Sequence, residues 1–146
     1  PEAFETARTG MMDAIRKVQR LWRGESVAFP GPRGETFEVR TTPRPVQAEL
    51  PIWLTAAGSP ETFRAAGAAG AGILTHLLGQ TFAELVDKIG AYREAWRAAG
   101  HPGSGHVTLM LHTFVGDDSD SVHELVRRPM MNYLGSSLGL VKGFAE

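Results

Sequence analysis

The sequence predicts an α/β fold, because strand and helix patterns alternate along most of its 146 residues. Three observations point to this class. "IWLTA" has no polar alternation, so both of its faces are covered, as in a parallel sheet with helices outside, and "GILTHL" follows as a second strand. Segments with helical spacing and clear start and stop residues follow each of them. A third extended stretch, "HVTLMLHTFV", comes after the second of these helices. Repeated βα units joined by right-handed crossovers build either an open doubly wound sheet or a sector of a (β/α)8 barrel, and periodicity does not separate the two.

The elements are justified in chain order. Phe4, Ala7, Met11, Ile15, Val18 and Trp22 recur at helical steps, which predicts a helix over 1–24 with one buried stripe, stopped by Gly24. "ESVAF" and "ETFEVR" flank "PGPRG", whose prolines and glycines favour a reversal, so 25–40 reads as a surface hairpin inserted before the βα units. "TTPRPVQAELP" is an extended connector into the strand "IWLTA". The βα units occupy 51–146 and, with the preceding segments, make one domain over 1–146. "PETFRAAGAAG" is the first helix of the repeat. The glycines of "GAAGAG" close that helix instead of opening one, so they signal close packing and a turn, not a dinucleotide fingerprint. The helix from Phe82 to about Ala99 has a capping box in Thr81 and Glu84, a stripe of Leu85, Ile89, Tyr92 and Trp96, and an end marked by Gly100 and Pro102. "VRRPMMNYLGSSLGLVKG" is expected as two helical pieces broken at Pro129, a cover or partner contact in which Arg127 and Tyr133 face either ligand or solvent.

Bulk properties exclude several classes of function. Fifteen Lys and Arg against sixteen Asp and Glu leave a net charge of −1, which provides no field for nucleic acid or an anionic membrane. The absence of cysteine rules out a disulfide framework, a thiolate metal site and a cysteine nucleophile, and fits a reducing cytoplasm. No apolar run approaches the roughly 18–20 residues of a membrane span, and the first residues lack the order of a secretory signal.

Residues able to carry chemistry are few. Ser59 stands at an N-cap position with Pro60 at the first helical position, so backbone amides near Gly58 to Thr62 point out of the helix start. A phosphate would satisfy them, and Ala56, Ala57 and Gly58 would let it come close to the main chain; a plain helix cap is the simpler reading of the same spacing. The five histidines, at 76, 101, 106, 112 and 123, show no metal-ligand spacing, and no metal site is expected. His76 falls near the C-terminal end of a strand, where α/β folds bind ligands; a histidine hydrogen-bonded within the fold is the competing reading. His112 reads as a core group within its strand, and His101 and His106 as solvated turn residues. "GDDSDS" suits the acidic start of a helix better than a metal loop. No serine lies in a nucleophile elbow, no carboxylate pair is placed for acid and base work, and Met110, Met130 and Met131 read as core filling.

Taken together, "RLWRGE", "PRPVQ" with "PIWLTAAGSPE", and "LMLHTFVGDD" resemble the bacterial luciferase-like flavin-dependent monooxygenases, particularly members found in natural product biosynthesis. The resemblance covers nearly the whole chain. It implies a (β/α)8 TIM barrel in which these strands are about the fifth, sixth and seventh, so that the chain is an incomplete barrel carrying a hairpin insertion. Strands one to four would precede Pro1, and the eighth would follow Glu146. It also implies reduced FMN as cofactor and O2 as co-substrate, with the FMN phosphate in the loop after the fifth strand. Carried over by position, Thr55 approaches the flavin, Ala57, Gly58 and Ser59 supply loop backbone, Thr62 offers a hydroxyl, and His76 is a polar group near flavin or substrate. Bacterial luciferase has an acidic residue and more hydroxyls in this loop, so backbone contacts are favoured in this chain. The implied partners are a small-molecule or carrier-tethered substrate, a flavin reductase and a further copy of the chain in a homo-oligomer. A deazaflavin (F420)-dependent oxidoreductase of the same superfamily and a non-catalytic partial-barrel assembly module are the alternatives.

Overall fold

The computed structural model describes the backbone of residues 2–142 and the side chains of residues 6–137. Its elements are α1 (Glu2–Trp22), β1 (Val27–Pro30), β2 (Thr36–Val39), β3 (Trp53–Thr55), α2 (Pro60–Ala68), β4 (Gly72–His76), α3 (Phe82–Ala98), β5 (Val107–Met110) and α4 (Ser119–Lys142). β1 and β2 pair antiparallel at the surface, with Val27 opposite Val39. β3, β4 and β5 form a separate three-stranded parallel sheet in sequence order. Sequential parallel strands with helices in the connections match the order of a sector of a TIM barrel, and the sheet does not close.

Strand alternation divides the sheet into two unlike faces. Leu54 pairs with Ile73 and Ile73 with Val107, and this row is turned towards the helices. Leu54 and Ile73 are buried there. Trp53 pairs with Gly72, Thr55 with Leu74, Leu74 with Thr108 and His76 with Met110 on the opposite face, which would be the interior of a closed barrel. Trp53 and Met110 on that face are 46% and 55% exposed. The lack of polar alternation in β3 follows from this arrangement, since a barrel strand is covered on both sides.

The core lies between sheet and helices. Phe63, Ala66, Ala71, Leu85 and Tyr92 are buried together with Leu54 and Ile73, and Met12 and Ile15 of α1 join them. α2 and α3 pack closely because Gly67 has no side chain; a Cβ there would run into the Tyr92 carbonyl and sit 3.0 Å from the Trp96 amide. The Tyr92 hydroxyl donates to the Ala71 carbonyl at 3.0 Å and accepts from the His106 amide at 3.0 Å, joining α3 to the N-terminal ends of β4 and β5. Burial raises the Tyr92 pKa, so the phenol stays protonated and able to donate.

Several sequence expectations need correction. The third strand stops at Met110 instead of reaching Val115, since β5 is an edge and its neighbour β4 already ends at His76 opposite Met110. Residues 111–116 are exposed as a result. His112 is therefore no core group, and its ring packs on Tyr133 with centroids 4.8 Å apart. Met110 and Met131 are likewise exposed, not core filling. α4 runs unbroken through Pro129: the carbonyl four residues back belongs to Leu125, which is itself exposed, so water can satisfy it. On α1 the buried residues are Met12 and Ile15, while Met11 and Val18 are exposed. The expected stripe includes Phe4, whose side chain lies outside the described residues. Finally, His101 is half-buried against Trp96 and its Nε2 lies 3.1 Å from the Ala68 carbonyl, so it fastens a turn instead of being solvated.

Candidate functional site

The C-terminal ends of β3 and β4 bring the expected site residues to one edge of the sheet. Thr55 and His76 lie on the same uncovered face, on adjacent strands, with His76 two positions beyond the Leu74 that pairs with Thr55. Sequence alone points to this neighbourhood without its details. Ala56 does not belong to it: it is buried among the core residues and its amide donates to the Leu74 carbonyl. Ala57 is half-buried, and Gly58 is exposed with open space where a Cβ would stand.

The start of α2 combines a cap with unused donors. Ser59 accepts from the Thr62 amide through its hydroxyl at 3.3 Å, and its carbonyl accepts from the same amide at 3.1 Å. That hydroxyl also donates to the Glu61 carboxylate at 3.1 Å. Both the Ser59 hydroxyl and the Thr62 amide are thus already engaged in capping. Among the described residues, no protein group accepts from the amides of Gly58 or Ser59. These two donors, at the positive end of a helix dipole, are the groups available to an anion. Glu61, at the second position of the helix, is held below the usual carboxylate range first by its own backbone amide and then by the Ser59 hydroxyl, and Arg64 pairs with it at 3.6 Å.

Two residues that carry no signal in the sequence complete the edge. Lys88 donates from Nζ to the Ala57 carbonyl and to Gln80 Oε1, each at 2.9 Å. Gln80 in turn donates from Nε2 to the Thr75 hydroxyl at 3.3 Å and to the His76 carbonyl. The loop after β3 and the loop after β4 are therefore tied together. Lys88 lies 31 positions from Ala57, and only the close packing of α2 on α3 brings them together, so no local pattern signals the contact. His76 is half-buried, and its Nδ1 accepts from the Leu78 amide at 3.2 Å. That bond puts the proton on Nε2, so the ring presents an N–H donor away from its own turn.

Glu25, Glu61, Glu84 and Asp118 all have lowered pKa values, owing first to the side-chain hydrogen bond from Arg20, to the Glu61 amide, to the Thr81 amide and to the Ser121 hydroxyl respectively. A carboxylate whose folded pKa is depressed contributes stability above its unfolded value and loses it as pH falls through the folded one. Thermal stability is thus expected to hold from neutral pH to about pH 5 and then decline steadily below about pH 4. Added salt should flatten the decline because all four groups are exposed. Melting curves across that pH range at two salt concentrations would check this.

Sequential parallel βα units with loops at the C-terminal ends of the strands are the arrangement of the TIM-barrel class. Within that class the chain belongs to the luciferase-like monooxygenase family, whose model matches residues 1–141. Among solved structures it is similar to the monooxygenase RslO1 from Streptomyces bottropensis, with a TM-score of 0.74 and 22% identity over 95% of this chain. The match covers 43% of that protein, so the chain spans less than half its length. No curated protein matches the chain. Among the described residues no helix is long and apolar enough to cross a membrane, and no cluster of acidic, histidine or cysteine side chains could hold a metal ion.

Proposed function

We propose that this chain is the flavin-phosphate-binding sector of a monooxygenase that uses reduced FMN and O2 to oxygenate an organic substrate, in natural product biosynthesis. The observation that carries this reading is the pair of unengaged amides, Gly58 and Ser59, at the helix start beside the uncovered strand face that holds Thr55 and His76. They suit a phosphate, since both N–H donors belong to the positive end of a helix dipole and Gly58 leaves room for close approach. The Ser59 hydroxyl and the Thr62 amide serve the cap, which leaves the Ser59 amide and the Thr62 hydroxyl for the phosphate. Backbone contact is thus the main mode of binding.

Bound reduced flavin would supply the oxygen activation and transfer, which explains why the chain needs no nucleophile. The residues present bind, orient and exclude water. Gly58 and Ser59 hold the phosphate through their amides, and Thr55 borders the flavin from the strand end. His76 offers its Nε2–H as a donor to flavin or substrate. The uncovered face, with Trp53, Leu74 and Met110, supplies an apolar wall once further strands close over it. In keeping with this reading, a reductase would deliver the reduced flavin, the substrate would be a small or carrier-tethered molecule, and copies of the protein would associate.

Anaerobic titration with reduced FMN and with F420 is the test. Tight binding of FMN supports the proposal, preference for F420 assigns the deazaflavin alternative, and binding of neither supports an assembly role. Replacing His76 with alanine is expected to lower substrate oxygenation by about tenfold, the worth of one hydrogen bond, and to divert oxygen to hydrogen peroxide. Unchanged turnover without peroxide would remove His76 from the site.

A further inference from the structure

We infer that Lys88 is a positioning residue that sets the orientation of the phosphate-binding peptide between Ala57 and Gly58; the inference rests on the FMN reading of the same loop. Among the described residues the cis peptide is Thr42–Pro43, so the peptide joining Ala57 to Gly58 is trans. In a planar trans peptide the carbonyl of one residue and the amide hydrogen of the next point in opposite directions. Lys88 Nζ holds the Ala57 carbonyl at 2.9 Å from the side of α3. The Gly58 amide must therefore point away from α3, which packs on the helix-facing side of the sheet, and towards the side on which Thr55 and His76 lie.

Among the described residues no other group bonds to that peptide. Gly58 is exposed, an added Cβ would meet no neighbour, and among the described residues no protein group accepts from its amide. A glycine in such surroundings has many backbone states available. The charge-assisted bond from Lys88 selects one of them. Gln80 makes the selection firmer, because it holds the second face of the Lys88 ammonium at 2.9 Å while bonding Thr75 and the His76 carbonyl. The same ammonium thus orients the phosphate donors and anchors the loop that carries His76. Lys88 lines an open groove of about 440 Å³ with Gly58, Pro60, Arg64, Glu84 and Asp87, and its assigned role is to hold the Ala57 carbonyl from α3.

The test uses the whole chain and two flavins that differ by the phosphate alone. Lys88→Met should weaken FMN binding by about tenfold and leave riboflavin binding within about twofold, since only FMN uses the Gly58 amide. Lys88→Arg should restore most of the loss. Gln80→Ala should give a smaller loss of the same kind, and it supplies the test if Lys88→Met fails to fold. Equal losses for both flavins, or no loss for either, would overturn the inference by showing a merely structural role or none. A ligand-free readout separates this inference from the FMN reading: the residual dipolar coupling of the Gly58 N–H should be that of an ordered peptide in the parent and should shrink in Lys88→Met. An unchanged coupling overturns the clamp even if FMN binds. A parent that binds neither flavin overturns the FMN reading and, with it, the role of Lys88 in seating a phosphate.

Discussion

Replacing Tyr92 with alanine is expected to destabilise the protein by about 3–5 kcal/mol, the range for truncating a fully buried aromatic side chain. A typical domain has about 5–15 kcal/mol in total, so the variant should be largely unfolded in mild denaturant. The cause is specific. Tyr92 is completely buried, packs its ring on Trp96 with centroids 5.8 Å apart, and closes on Gly105, where a Cβ would strike the phenol. Its hydroxyl is also the shared partner of the Ala71 carbonyl and the His106 amide. Tyr92→Phe isolates the polar part and should cost about 1–3 kcal/mol, because the buried Ala71 carbonyl and the part-buried His106 amide lose their partner. Urea unfolding of both variants would measure the difference, and a phenylalanine variant as stable as the parent would show that water replaces the hydroxyl.

Gly67→Val should have the second largest effect, about 1–3 kcal/mol from overpacking. The obstruction there is backbone, the Tyr92 carbonyl and the Trp96 amide, together with the Ala95 methyl at 3.2 Å, and backbone cannot rotate away as a flexible side chain can. Relief requires α2 and α3 to move apart. Because Lys88 on α3 reaches the loop that precedes α2, the same movement should disturb the phosphate seat, so flavin affinity is expected to fall along with stability. Gly58→Ala is the matched control. Its added Cβ meets open space, and its stability should lie within about 0.5 kcal/mol of the parent. A Gly67→Val protein as stable as that control would contradict the close helix contact.

The parts of this fold legible in the sequence are those governed by local chemistry. Thr81 and Glu84 form both bonds of a capping box, and Ser59 with Pro60 opens α2 as its side-chain type requires. Leu85 and Tyr92 of the expected α3 stripe are buried for the same reason of spacing. Where the outcome depends on neighbours, sequence is a poorer guide. "HVTLMLHTFV" has strand composition over its whole length, yet only Val107–Met110 has a partner strand to pair with. Pro129 normally breaks a helix, yet the exposed carbonyl it displaces is one that water can reach. The small residues after β3 look alike in sequence, although Ala56 faces the core and Gly58 faces outward. Lys88 and Gln80 are invisible for a related reason: their significance lies in contacts across loops, which spacing along one helix does not encode.

The central claim is that backbone donors at the start of α2 receive the phosphate of a flavin. A crystal structure of the protein with FMN tests this most directly. The account predicts phosphate oxygens within hydrogen-bonding distance of the Gly58 and Ser59 amides, with the ring system turned towards Thr55 and His76. FMN bound with its phosphate elsewhere, or a helix start left empty at saturating FMN, would contradict it.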